Sequence, residues 1–175
     1  MKIGIFGGGQ LGRMMALAAY PFNLSFSFYE SAANCPSAPL GEVIGDKEAS
    51  QASLDAFLAS ADVFTYEFEN IPVAWVEHIA QHKPVYPSVK SLAVSQNRLN
   101  EKQLFAKLGI PAAAYHQVCS QADLQQAVDT LGLPLVVKTT MGGYDGKGQF
   151  VIRQAEQVAQ AWSELQAGAP LIAEA

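Results

Sequence analysis

Two glycine-rich stretches, and the charged residues beside them, hold most of the chemistry this sequence can offer. The first, Gly7-Gly8-Gly9-Gln10-Leu11-Gly12, fits the spacing Gly-x-Gly-x-x-Gly and lies between a short apolar run and a helical pattern. Glycines there let the backbone approach a phosphate, and the following helix start offers unpaired N–H groups with partial positive charge. Glu30, 18 residues beyond Gly12, stands where a carboxylate could accept from a ribose hydroxyl. Three readings stay open on these residues: a dinucleotide site, a site for another phosphate ligand, and a helix packed tightly on a strand.

The second stretch is more specific. Lys138 closes the apolar run Leu135-Val136-Val137, and Thr139-Thr140-Met141-Gly142-Gly143-Tyr144-Asp145-Gly146-Lys147-Gly148-Gln149 follows. Four glycines in the seven residues 142–148 pack no core. They suit a flap, mobile on its glycine content, whose backbone N–H groups wrap a polyphosphate. A lysine at a strand end just before it is placed to pair with the same phosphates. The order GxxxxGK[ST] is absent, so this is not a Walker loop. The alternatives are a hairpin with a glycine-rich turn and a solvated strand-end lysine.

The elements that must position these loops follow from periodicity. Lys2–Phe6 reads as a buried strand, Gln10–Tyr20 as a helix stopped at Pro21, and Leu24–Tyr29 as a second strand, which makes a β-α-β unit. Residues 31–41 read as loop, Val43-Ile44 as a short strand, Ser53–Ala59 as a helix and Asp62–Tyr66 as a strand. A helix begins at Pro72, with Val73, Val76 and Ile79 in phase, and Val85-Tyr86 reads as a last short strand before Pro87. This alternation predicts a Rossmann-like, doubly wound α/β domain over 1–88. Residues 89–110 read as connecting helices closed by Gly109 and Pro111. Over 111–175 the pattern restarts as strand 115–118, helix 121–131 capped by Ser120, strand 135–138, strand 149–152, helix 156–165 and strand 171–173.

Composition bounds the function. The chain has 175 residues, 11 Lys+Arg against 16 Asp+Glu, a formal net charge of −5, and 50% hydrophobic residues. It can bury a core, and its acidity argues against a non-specific nucleic-acid or anionic-membrane binder. Cys35 and Cys119 form no CxxC pair, so zinc-ribbon and thioredoxin-type readings fail. No run approaches the ~18 apolar residues of a membrane span. A cytoplasmic protein is the expectation. His78 and His82 share a helix but have no third ligand near in sequence, so no metal site is assigned. Trp75 and Trp162 read as core residues.

Lys138 with the run Gly-Gly-Tyr-Asp-Gly-Lys-Gly-Gln at 142–149 resembles the nucleotide-binding flap of the ATP-grasp carboxylate–amine ligases. Three further segments narrow the resemblance to the branch that carboxylates 5-aminoimidazole ribonucleotide. These are Gly-Gly-Gly-Gln-Leu-Gly-Arg-Met at 7–14, Thr65-Tyr-Glu67-Phe-Glu69-Asn-Ile-Pro72, and Asn97-Arg98-Leu-Asn-Glu-Lys-Gln-Leu-Phe105. The resemblance covers essentially the whole chain. It implies a pre-ATP-grasp substrate domain followed by the first, α+β part of an ATP-grasp domain. It also implies an enzyme of purine biosynthesis that uses ATP, bicarbonate and the aminoimidazole ribonucleotide, with Mg2+, as a homodimer. ATP positions carried over are Arg98, Lys138, Gly143, Tyr144, Asp145, Gly146, Lys147, Gly148, Gln149, Glu174 and Ala175. Substrate positions are Gly9, Gln10, Leu11, Glu67, with Glu69 as second choice, and Tyr144. Asp145 and Lys147 carry the catalytic roles: orienting the amine or managing its proton, and stabilising transferring phosphoryl charge.

Members of that family continue past the position of Ala175. The resemblance therefore puts the Mg2+ ligands, most of the adenine pocket and further substrate contacts beyond it, and the chain alone is expected to show no turnover. Rival readings are a related ATP-grasp ligase, such as a formate-dependent glycinamide ribonucleotide transformylase, and an NAD(P)-dependent oxidoreductase using the first loop. A non-catalytic binding module is a third.

Overall fold

Strand β1 (Lys2–Phe6) sends Ile5 to one face of a sheet and Phe6 to the other, and each face gathers its own core. The computed structural model describes residues 1–143, 146–165 and 170–175. They form two compact units, 1–93 and 94–175. In the first, β1 pairs in parallel with β2 (Ser25–Tyr29) and β4 (Val63–Tyr66), and β2 with β3 (Glu42–Ile44), in the order β3-β2-β1-β4. Register sets Ile5 beside Phe28 and Phe6 beside Tyr29. The Ile5 face is closed by α1 (Gln10–Ala19) through Ala16. The Phe6 face is closed by α2 (Gln51–Ser60), α3 (Val73–Ala80) and α4 (Val89–Ser95) through Leu54, Phe57, Val76, Ile79 and Leu92. Phe57 meets Phe6 and Phe64 edge-on, both at 5.0 Å between ring centroids, the arrangement that aromatic quadrupoles favour.

The strand order reverses beside β1. The crevice at the carboxyl ends of β1 and β4 is where open α/β sheets place ligands. There β1 runs into the first glycine loop and β4 into Glu67.

The second unit is built differently. After α5 (Arg98–Leu108) come β5 (Tyr115–Val118), α6 (Gln121–Leu131), β6 (Leu135–Thr139), β7 (Gln149–Ile152), α7 (Val158–Leu165) and β8 (Leu171–Glu174). The sheet order is β5-β8-β6-β7, with antiparallel pairs throughout. On one face Leu135, Val137, Ile152 and Ala173 pack with Leu124 and Ala127 of α6 and Val158 and Ala161 of α7. Side chains alternate along a strand, so the pairs Lys138–Gln149 and Val136–Glu174 put Lys138, Gln149 and Glu174 together on the other face.

The doubly wound parallel sheet expected at the amino end is what the chain adopts, and the elements differ in detail. Helix α2 starts at Gln51, not Ser53, because the Ser50 side chain accepts from the Ser53 N–H and caps it. Val85-Tyr86 makes only a bridge from Val85 to Phe64; Pro84 and Pro87 on either side offer no N–H to extend a ladder. The first turn of the helix expected at 156–165 is a 3-10 turn, Ala155–Gln157. Trp75 and Trp162 are half-buried at core margins rather than central.

Candidate functional site

The first glycine loop is already engaged by an anion from within the chain. Gly9 lies just before α1, and its N–H donates to Glu67 Oε1 at 3.0 Å. The Gly12 N–H donates to Oε2 of the same carboxylate. The first N–H groups of a helix lack intrahelical acceptors and attract negative charge; Glu67, delivered by the end of β4, supplies it. The fit is close, since a Cβ on Gly12 would lie 2.8 Å from Glu67 Oε2 and 2.9 Å from the Gly7 carbonyl oxygen. Gln10 and Leu11 are exposed beside this contact, and Glu69 is exposed two residues on.

A cavity of about 300 Å³ opens at the ends of β1, β2 and β4, walled by Phe6, Tyr29, Phe68 and Trp75, with Glu30 at its edge. Glu30 Oε1 accepts from the Ser31 and Ala32 N–H groups at 2.8 and 3.3 Å. It serves the local turn. A dinucleotide pyrophosphate would meet the Glu67 carboxylate at the Gly9 and Gly12 N–H groups, so the local geometry disfavours that reading of the motif.

The second loop faces cations. Arg98, Lys138, Lys147 and Gln149, with Gly143, Gly146 and Gly148, line a cavity of about 210 Å³. The loop is closed at its base by the Thr139 N–H donating to the Gly148 carbonyl at 2.9 Å. Gly148 has φ +68°, and a Cβ there would stand 2.9 Å from Thr139 Oγ1; a left-handed backbone in so tight a place suits glycine. Arg98, first residue of α5, donates from its guanidinium to the carbonyls of Thr139 at 2.9 Å and Gly143 at 3.0 Å. Its backbone N–H reaches the Thr140 carbonyl at 2.9 Å. Asn97 caps α5, its side chain accepting from the Leu99 and Asn100 N–H groups, which fixes where Arg98 leaves the helix. Tyr144 and Asp145 lie outside the described residues.

Behind this cavity is a buried carboxylate. Glu174 is 8% exposed. Lys102 Nζ lies 2.6 Å from its Oε1, and Lys138 Nζ donates to its Oε2. Burial pushes the Glu174 carboxyl up; hydrogen bonds and charge from Lys102 and Lys138 outweigh that and hold it below the ordinary carboxylate range. Lys102 was not singled out from the sequence. Its signal was there, four residues after Arg98 and hence on the same helix face. Ala175 is exposed, and its N–H donates to the Ala114 carbonyl at 3.0 Å.

His78 Nε2 pairs with Asp55 Oδ1 at 2.9 Å, and His82 Nδ1 contacts the His78 carbonyl at 2.9 Å. Among the described residues no three His, Cys, Asp or Glu side chains come close enough to hold a metal ion.

Residues 1–96 match the ribonucleotide synthetase preATP-grasp domain, and residues 103–175 match the ATP-grasp domain. An N5-carboxyaminoimidazole ribonucleotide synthase of Pseudomonas aeruginosa is 46% identical over 165 residues, covering 94% of this chain and 46% of the relative. The crystal structure of N5-carboxyaminoimidazole synthetase from Staphylococcus aureus with ADP superposes with a TM-score of 0.92 at 32% identity, covering 99% of this chain and 46% of that one. The synthase of Aspergillus clavatus, in complex with ADP and 5-aminoimidazole ribonucleotide, gives a TM-score of 0.80 at 25% identity, covering 99% and 46%. The chain thus spans less than half the length of these relatives. Its amino-terminal 96 residues, more than half of it, carry the matched domain, and the chain belongs to the ribonucleotide synthetase preATP-grasp family.

Proposed function

We propose that this chain belongs to an ATP-dependent ligase that carboxylates 5-aminoimidazole ribonucleotide with bicarbonate in purine biosynthesis. The observation carrying this reading is the cavity of the second unit, where Arg98, Lys138 and Lys147 line one space with a glycine loop. Three cationic side chains around backbone N–H groups make a place for a polyphosphate, not for an apolar ligand. Support also comes from the Staphylococcus relative, solved with ADP, and the Aspergillus relative, solved with ADP and 5-aminoimidazole ribonucleotide.

The chemistry follows. Bicarbonate and an aromatic amine do not join unaided. Attack of a bicarbonate oxygen on the γ-phosphorus of ATP breaks the bond to ADP and forms carboxyphosphate. The exocyclic amine then attacks the carboxyl carbon, phosphate leaves, and the nitrogen gives up a proton to yield the carbamate. Lys138, Lys147 and the flap glycines hold the phosphates, and Arg98 braces the flap's base through Thr139 and Gly143. Positive charge fixed before the reaction favours the transferring phosphoryl group. Tyr144 and Asp145 are assigned to the imidazole acceptor, with Asp145 orienting the amine or taking its proton. Glu174 and Ala175 border the adenine.

In the first unit Glu67 occupies the Gly9 and Gly12 N–H groups. The N–H groups of Gln10 and Leu11 are then those a helix start leaves for the ribonucleotide acceptor. Glu69 is a further acceptor contact. Mg2+ would assist phosphoryl transfer, but the side chains that line the cavity among the described residues are cationic or amide and do not fit the ion. Its ligands are expected at positions beyond Ala175, in the part of the relatives that this chain does not span. The same reading makes the protein a cytoplasmic homodimer that binds neither nucleic acid nor membrane.

Calorimetric titration of the chain with AMP-PNP and with NADH tests the reading. The expected outcome is AMP-PNP binding without NADH binding; the reverse would overturn it. A single-turnover assay for ADP tests the chemistry in the protein carrying this sequence. ADP formation that needs bicarbonate, and carbamate formation that needs the aminoimidazole ribonucleotide as well, are expected there, and ADP formation indifferent to bicarbonate would refute the assignment.

A further inference from the structure

Lys102 sits one helical turn after Arg98, so both side chains leave the same face of α5. Arg98 reaches the flap's base. Lys102 reaches Glu174, with Nζ 2.6 Å from Oε1, while Lys138 holds Oε2. Side-chain exposures are 13% for Lys102, 11% for Glu174 and 29% for Lys138. One carboxylate therefore serves two ammonium groups, and the surplus positive charge has one place to act. Lys138 lines the cavity with Arg98, Lys147 and Gln149; Lys102 does not.

A simple Lys138–Glu174 pair would work against phosphate binding. Turning Lys138 to a phosphate would strip a buried carboxylate of its partner, and an uncompensated buried charge is strongly unfavourable. Lys138 would stay with Glu174. With Lys102 on Oε1, the carboxylate keeps a charged partner when Lys138 turns away. We propose that Lys102 is a positioning residue for nucleotide binding: by neutralising Glu174 it releases the Lys138 ammonium to an incoming phosphate. The inference rests on the reading of this cavity as a polyphosphate site.

The test is calorimetric titration of the chain with inorganic triphosphate, a probe of the cationic cavity that needs no adenine pocket. Lys138→Met is expected to weaken binding 10- to 100-fold, roughly the loss of one charge-assisted hydrogen bond. Lys102→Met is expected to weaken it about tenfold, because Lys138 is then the one cationic partner of Glu174 among the described residues. Lys102→Arg keeps a cation on Oε1 and should bind within about threefold of the parent. The double variant Lys102→Met/Glu174→Gln should regain affinity over Lys102→Met, since a neutral amide no longer holds Lys138. A merely structural role for Lys102 predicts no such recovery.

If Lys102→Met does not fold, the comparison moves to Glu174→Gln with and without Lys102→Met. Equal affinities there support the proposal, and a further loss overturns it. Lys102→Met binding like the parent also overturns it, provided Lys138→Met is weak; the polyphosphate reading then stands alone. Should the parent bind no triphosphate, or Lys138→Met bind like the parent, the reading of the cavity fails and this inference with it.

Discussion

The two glycine loops look alike in sequence and end up as opposites. Each follows a strand and is rich in glycine. At the first, the nearest charge is the Glu67 carboxylate, which accepts from Gly9 and Gly12. At the second, the charges lining the cavity among the described residues are those of Arg98, Lys138 and Lys147, and the described carboxylate Glu174 is held by Lys102 and Lys138. Glycine spacing alone therefore does not make a phosphate site. What decides is the sign of the side chains that neighbouring strands and helices bring to it. A carboxylate on the N–H groups fills the cradle from within. A carboxylate held back by lysines leaves the cations to face the cavity.

Removing a cation at the second loop should have the largest effect. Arg98→Ala takes two donors from the Thr139 and Gly143 carbonyls and one cation from the cavity. AMP-PNP affinity, measured by calorimetry, is expected to fall 10- to 100-fold, equivalent to about 1.4–2.7 kcal/mol. Unchanged affinity would mean that the cations are structural and the contrast between the loops false. Next comes Gly12→Ala at the first loop. Alanine favours a helix by about 1 kcal/mol over glycine, yet the new Cβ would stand 2.9 Å from the backbone oxygen of Gly7, which cannot swing aside. A net destabilisation of about 1–3 kcal/mol is expected by urea unfolding; a stabilised variant would show that Glu67 and the loop have room to move. Glu67→Gln sharpens the point more gently. One amide oxygen replaces two carboxylate oxygens, and the amide's own N–H groups face N–H donors. A loss of about 1–2 kcal/mol is expected, and no loss would mean the carboxylate does not brace the loop.

Why the sequence revealed one of these loops more fully than the other is a matter of distance along the chain. Lys138, Gly143, Lys147 and Gln149 fall within a dozen residues, so their common cavity was legible from local order, as was the strand-loop-strand frame. Helix α6 was equally plain, because Ser120 and Gly132 mark its ends and both act there. The Glu67 contact spans 58 residues to Gly9, and the Lys138–Glu174 pair spans 36. Such contacts depend on strand order and register, which no local pattern specifies. A glycine loop awaiting phosphate and one already capped by a carboxylate read the same until β4 is placed beside β1. Lys102 was hidden for a related reason. Its spacing from Arg98 marks a helix face, but only the contacts of Arg98 with Thr139 and Thr140 at the end of β6, together with the pairing of β6 with β8, bring this face to Glu174. The short strand expected at 85–86 failed on local chemistry instead, since the flanking prolines were visible and outweigh its apolar character.

The smallest expected effect concerns pH, and it separates Glu174 from the exposed carboxylates. Its carboxyl lies below the ordinary value of 4.5 in the folded chain, so the folded state holds the charged form more firmly than the unfolded state does. Stability from this group is then fully present above pH 4.5. It is lost as pH falls below that value and through the lower folded one. Asp46, Asp55 and Asp123 are also lowered by local hydrogen bonds, so the parent's acid sensitivity alone proves nothing. The difference between parent and Glu174→Gln isolates the one group. Thermal unfolding followed through Trp162, in a Trp75→Phe background, reads the second unit, where Trp162 packs against the core. The parent should exceed Glu174→Gln in Tm at pH 7, and the gap should close as pH drops from 5 toward 3. At low pH the glutamic acid is neutral like the amide, and Lys102 and Lys138 then lack a counter-charge in both proteins. A gap that stays constant across that range would mean Glu174 contributes through packing and not through charge, and the difference between the two loops would lose its electrostatic basis.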